Sequence, residues 1–193
     1  GTLPKLMGPS LGIVGTRRPS MFAEDRLKQL MTHVQPYRIV SGGALGVDAM
    51  AHQFALNMLL PTVVVLASGL DVMTPQTNQR LFDAILESGN GLILSEYPLG
   101  VKPRAYYFPQ RNRIIAALSH KLLVVEAAKK SGAVITATIG AQLSGEVGAL
   151  VGGFNVPQSE GCYKLIQDGA HIVGSMQQWL DFLSLDTRHL CES

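Results

Sequence analysis

The sequence predicts an α/β fold of Rossmann-like type: a mostly parallel sheet with helices on both faces, in a single domain. Three observations lead there. Short runs rich in Val, Ile and Leu recur without strict polar alternation, as strands buried on both faces read. Segments with helical spacing of apolar residues separate those runs. The length, 193 residues, matches one domain at about 100–200 residues each.

Taken in order, strands are expected at 11–15, 38–42, 62–67, 91–95, 122–126 and 147–151. The first helix is expected over 20–33, where Leu27, Leu30, Met31 and Val34 fall at i, i+3, i+4 and i+7. Further helices are expected over 47–59, 78–88, 111–118 and 133–143. A short one starts near Gly161, and an amphipathic one covers 175–185. The end of the chain, 187–193, reads as frayed, leaving a core domain over 1–186.

Composition excludes several classes. With 47% hydrophobic and 16% charged residues, the chain is the reverse of a disordered one. Its best apolar run, Met58 to Ala67, holds Pro61 and Thr62 and is too short for a membrane span. No basic region followed by an apolar stretch opens the sequence, so no signal peptide is expected. Cys162 and Cys191 make no disulfide framework. A cytoplasmic protein is the expectation. The net charge of +2, from 16 Lys+Arg against 14 Asp+Glu, says little about a nucleic-acid partner until the charges are placed.

Gly is in excess: 20 residues, where average usage gives roughly 14. Much of that excess falls where ligands bind in such folds, at the carboxyl ends of strands. Gly15-Thr16-Arg17-Arg18 follows the first strand, Ser41-Gly42-Gly43-Ala44 the second, Ser68-Gly69 the third and Ser131-Gly132 the fifth. Such turns let a ligand approach the backbone, and the helix that follows presents N–H groups to a phosphate. Strand-to-helix turns also need Gly for purely structural reasons. Neither G-x-G-x-x-G after a strand nor G-x-x-x-x-G-K-[ST] occurs, which argues against a simple NAD enzyme and a P-loop NTPase.

The basic residues share that edge. Residues 101–113, VKPRAYYFPQRNR, hold Lys102, Arg104, Arg111 and Arg113 with no acid, and interleave Tyr106, Tyr107 and Phe108. With Arg17, Arg18, Lys129 and Lys130, eight of the 16 basic residues fall on turns at one edge of the sheet. Basic side chains neutralise phosphates and aromatic faces stack bases, a combination suited to a single strand. Two readings stand for several of these residues. Arg111 and Arg113 either meet phosphate or pair with Glu96 and Glu126, and Phe108 either stacks or is core.

These stretches resemble the Rossmann-like core of the DNA-processing protein A family (DprA, also called Smf). The matching segments are GIVGTRRPS (12–20), IVSGGALGVDAMAH (39–52), VVLASGLDVMTP (64–75), LILSEYPLG (92–100), FPQRNRIIAALS (108–119), VVEAAKKSGAVITA (124–137) and PQSEGCYKLIQDGA (157–170). The resemblance implies a non-enzymatic protein that protects incoming single-stranded DNA and helps load the RecA recombinase on it in natural transformation, with no cofactor. Carried over by motif, the phosphate- and DNA-binding residues are Gly15, Thr16 and Arg17; Ser41, Gly42 and Gly43; Phe108, Arg111, Asn112 and Arg113; and Lys130, Ser131 and Gly132. It also implies a homodimer contact near Leu165 and Ile166, against a plain-core reading of the same residues. The helical domain that precedes this core in many members, and the winged-helix domain that follows, are expected to be absent.

The chain departs from the family at three places. Leu45 stands where an Arg is usual, Gly145 opens GEVGALVG where the family has REVFAVPG, and Thr74 replaces a common Tyr. Two fewer Arg residues imply a shallower salt dependence of DNA binding.

Other residues have competing readings. Asp48 and His52 lie one turn apart, either as a catalytic pair or as a structural acid with a packed imidazole beneath it. Asp71, Glu96 and Glu126 end strands, where charge pairing competes with a metal site. No His/Cys spacing suggests zinc, and Ser131 has no base placed near it by any motif. Two alternative functions use the same pocket. One is a sensor for a small nucleotide. The other is N-glycoside hydrolysis of a nucleoside monophosphate, as in the lysine-decarboxylase-like fold, whose PGGxGTxxE turn is replaced here by EAAKKSGAVITA.

Overall fold

The computed structural model describes residue 1 and residues 8–143 and 145–184. Strands β1 (Ser10–Val14), β2 (Arg38–Ser41), β3 (Thr62–Leu66), β4 (Gly91–Ser95), β5 (Lys121–Val124), β6 (Glu146–Leu150) and β7 (His171–Val173) form one sheet. Its order is β4-β3-β2-β1-β5-β6-β7, and every neighbouring pair is parallel. The chain therefore steps outward from β1 to β4, then returns to place β5 on the other side of β1. This reversal between β1 and β5 is the switch point, where the connections diverge and leave a crevice.

Helices α1 (Met21–Met31), α2 (Val47–Asn57), α3 (Gln79–Glu87) and α7 (Met176–Ser184) cover one face; α4 (Tyr107–Ala117), α5 (Gly132–Gln142) and α6 (Glu160–Gln167) cover the other. Strand residues alternate between the two layers. Leu11, Ile13, Ile39 and Leu123 pack with Leu27, Ala51 and Trp179, whereas Val14, Val40, Leu122 and Val124 pack with Ile115, Ala137 and Leu165. Burial on both sides is why these strands lack polar alternation. Among the described residues no helix is long and apolar enough to cross a membrane.

Local chemistry sets the helix ends that matter for the site. Ser20 caps α1, its Oγ accepting from the Ala23 N–H at 3.2 Å, and Ser131 caps α5 by accepting from Val134 at 3.4 Å. Two elements differ from expectation. Helix α4 begins at Tyr107 rather than 111, so half of the basic–aromatic segment is helix and not loop. Pro109 permits this because the first turn needs no N–H from it. Strand β7 was not anticipated: three residues carry no readable period, and only pairing with β6 defines it. The tail 187–193, with Cys191, lies outside the described residues.

Candidate nucleic-acid interface

A cavity of about 520 Å³ opens at the switch point. Its walls come from the β1–α1 turn, the start of α2, one face of α4 and the N-terminus of α5.

The β1–α1 turn is pinned from two sides. Thr16 donates its N–H to the Glu126 carbonyl at 2.6 Å, and its own carbonyl accepts from Val47 N–H at 3.1 Å. The Glu126 carboxylate accepts from Ser20 N–H at 2.9 Å. Glu126 thus anchors the turn through backbone bonds, and no ion pair joins it to an Arg among the described residues. Arg17 and Arg18 stay exposed and line the cavity.

The β2–α2 turn is a rigid floor. Ser41 is fully buried and its Oγ donates to the Ile13 carbonyl at 2.6 Å, so it supports the turn from beneath. Asn78 Nδ2 donates to the Gly43 carbonyl at 3.0 Å. Gly46 sits at φ +77°, a conformation that disfavours any side chain, and a Cβ there meets the backbone of Thr16 and Arg17. Asp48 accepts from Ala44 N–H at 3.3 Å. Burial raises its carboxyl above the ordinary range, while the Arg111 charge pulls the other way.

Helix α4 supplies Phe108, Arg111 and Asn112. Arg111 is 4% exposed. Its guanidinium donates to the Gly42 carbonyl at 2.7 Å, to the Val65 carbonyl and, through Nε, to Asn112 Oδ1 at 3.2 Å. Asn112 continues the chain to the Gly132 carbonyl at 3.3 Å. Phe108 is half-buried near two cations, with the Arg17 guanidinium 5.3 Å and that of Arg111 5.9 Å from its ring centre. Burial pushes the Arg111 guanidinium below its ordinary value, and the nearby Arg17 charge adds to that shift. An anion near both offsets their like charge.

The structure thus brings Gly15, Thr16, Arg17, Phe108, Arg111, Asn112, Ser131 and Gly132 around one cavity. Gly42 lines a smaller adjoining cavity of about 140 Å³, which also touches Arg17, Phe108 and Leu45. Ser41 and Gly43 lie beneath the floor. Arg113 faces outward and pairs with Glu96. Lys130 is exposed just before the Ser131 cap, outside the lining. Tyr106 and Tyr107 cluster with Tyr97, their rings 4.3–4.5 Å apart, away from both cavities. Leu165 is core, 6% exposed, and Ile166 packs beside it.

Asp48 and His52 do not form a pair. His52 is fully buried with Nδ1 2.7 Å from Thr62 Oγ1, and burial with the Arg111 charge lowers it to about 3, so the imidazole is neutral. Asp71 accepts from Gly100 N–H with both oxygens, at 2.8 and 2.9 Å. No cluster of acids, His and Cys able to hold a metal occurs among the described residues. Sequence reasoning missed Thr136 and Gln158 as lining residues. Thr136 is one helical turn from Gly132, and Gln158 falls in the motif stretch 157–170 at a short turn of helix, Pro157–Ser159, that only the fold brings to the cavity.

The sequence model of the DNA recombination-mediator protein A family matches residues 1–184. The chain belongs to that family. Among DNA recombination-mediator proteins, Smf of Synechocystis sp. is 42% identical over 174 residues, 89% of this chain and 43% of its own length. DNA processing protein A from Streptococcus pneumoniae superposes with a TM-score of 0.87 at 38% identity, over 93% of this chain and 63% of that one. A Helicobacter pylori structure, reported for the protein's single-stranded DNA binding mode, gives 0.85 at 31% identity, over 95% of this chain and 84% of that one. The chain spans about half the length of the Synechocystis and Escherichia coli Smf proteins that it matches.

Proposed function

We propose that the switch-point cavity binds single-stranded DNA and that the chain acts in DNA processing as a binding protein, not an enzyme. One observation carries the reading: exposed Arg17 stands over the Phe108 ring at the mouth of a cavity whose opposite wall is the N-terminus of α5. Arg17 and Arg18 take phosphate, the α5 N-terminus with Ser131 and Gly132 takes a second anionic group, and a base stacks on Phe108. Arg111 and Asn112 hold the floor beneath, and Lys130 adds long-range attraction. The reported DNA binding of the H. pylori relative supports the assignment. The acids at the site, Asp48 and Glu126, are both engaged by backbone N–H groups, which favours binding over catalysis.

In the cell this module protects single strands and passes them to a RecA-type recombinase, working as a cytoplasmic homodimer. The cavity also falls in the roughly 300–1,000 Å³ range of small-molecule sites, so a mononucleotide is the second reading. A mobility-shift titration of oligo-dT against duplex of equal length, over a salt series with mononucleotide as competitor, tests both. Preference for the single strand with a salt-dependent affinity is expected. Equal affinity for the two, or no binding at low salt, overturns the reading.

A further inference from the structure

A further cavity, of about 230 Å³, opens at the carboxyl ends of β6 and β7, where α1 and α7 flank them. It lies on the same edge of the sheet as the switch-point cavity. With strands about 4.8 Å apart, β6 is about 10 Å from β1 across β5. Its walls are Phe22, Arg26 and Leu30 of α1, the strand ends at Val151 and Val173, and Met176. Arg26 is the one charged residue in this lining.

Three features set this place apart from ordinary surface. Phe22 is 44% exposed although it sits in the first turn of α1, immediately after the Arg17–Ser20 turn. Arg26, one helical turn on, holds its guanidinium 5.2 Å from the Phe22 ring centre and donates to Gln29 Oε1 at 3.2 Å. Phe154 is 87% exposed at the tip of the loop after β6. That loop joins the two cavities: Gly152 at its start lines this one, and Gln158 at its end lines the other.

We propose that this cavity is a second station for the same single strand, taking a nucleotide beyond those held at the switch point. The inference rests on the single-stranded DNA reading above. A strand leaving Arg17 crosses Arg18 and meets the exposed rings of Phe22 and Phe154, on which bases stack, while Arg26, over one face of Phe22, takes a phosphate. Aromatic faces with an interleaved guanidinium, continuous with a basic cavity, favour nucleic acid over a purely apolar protein partner.

The test compares a short oligo-dT, long enough for the switch-point cavity alone, with a long one. The double variant Phe22→Ala/Phe154→Ala is expected to lose about fivefold or more in affinity for the long strand and nothing for the short one. Both rings are exposed, so folding is checked simply by its thermal midpoint. Long oligonucleotides carrying 5-iodouracil are expected to photocrosslink to peptides containing Phe22 or Phe154 in the unaltered chain. Unchanged long-strand affinity in the double variant, with crosslinks confined to Phe108, overturns the second station while leaving the first intact. Loss of self-association or of recombinase binding at unchanged DNA affinity also overturns it, in favour of a protein-docking patch. Failure of the underlying reading looks different: the unaltered chain then binds neither length.

Discussion

The guanidinium of Arg111 and the backbone of Gly42 are fitted to each other. Arg111 donates to the Gly42 carbonyl at 2.7 Å, and a Cβ on Gly42 would fall 2.5 Å from Arg111 Nη2. Arg111, which the sequence left open between phosphate contact and an ion pair, is thus a buried strut joining α4 to the ends of β2 and β3. The exposed cations of the site are Arg17 and Arg18. Arg17 and Arg111 lie near one ring, and their roles are separable by experiment.

Replacing Arg111 with Ala leaves two backbone carbonyls and the Asp48 carboxylate without their cation. Removing one member of a buried charged set typically costs about 3–5 kcal/mol. Urea unfolding of Arg111→Ala is expected to show a loss of this order. A stability within about 0.5 kcal/mol of the unaltered chain, the range of ordinary surface changes, would contradict the strut.

Arg17→Ala is expected to do the opposite: little change in stability, and weaker DNA binding. If Arg17 neutralises one phosphate, the slope of log affinity against log salt becomes shallower by about 0.7. Titrations across a salt series measure both slope and affinity.

Acid stability is expected to depend on His52. Its folded-state value of about 3 lies below the ordinary 6.5, so the unfolded chain binds the extra proton between those values. Stability contributed by the neutral imidazole is therefore full above 6.5 and is lost as pH falls toward 3. Asp48 acts with the opposite sign. Its raised carboxyl favours the folded state below the ordinary 3.8, an effect lost as pH rises through the folded value. Unfolding of His52→Gln as a function of pH should show a flatter acid limb, and Asp48→Asn a less unfavourable contribution near neutrality. An unchanged acid limb in His52→Gln would show that the imidazole titrates normally.

Ser131→Ala removes the side-chain cap of α5 at the cavity wall. A loss of about 1 kcal/mol is expected from the cap alone, with a parallel fall in oligonucleotide affinity as the helix start loosens. Affinity unchanged at the expected stability loss would place Ser131 outside the binding surface.

Trp179→Ala tests the layer packed against α1. Trp179 is fully buried and its Nε1 donates to the Leu30 carbonyl at 2.9 Å. A cost of about 3–5 kcal/mol is expected in denaturant unfolding.

Much of this molecule is legible in its sequence, because its signals are local and repeated. Val63, Val64 and Val65 are buried on both faces of the sheet, and an unbroken apolar run is what such a strand requires. Leu27, Leu30 and Met31 mark the inner face of α1, and Ser20 and Ser131 mark helix starts. The turns at Gly15, Gly42 and Gly132 announce themselves by residue type. Strand β7 does not, since His171–Val173 is a strand only because β6 lies beside it.

What sequence determines here is the alternation of strand and helix, the family and the edge of the sheet where charge collects. Which of those charges is free is a tertiary fact. Arg17 and Arg111 have the same side chain and both lie on motif stretches. One extends into a cavity and the other is enclosed, because folding brings the Gly42 carbonyl and the Asp48 carboxylate of the β2–α2 segment and the Val65 carbonyl of β3 around a single guanidinium. Burial and partnership depend on what the chain places next to a residue, and periodicity and residue type record only what the residue is.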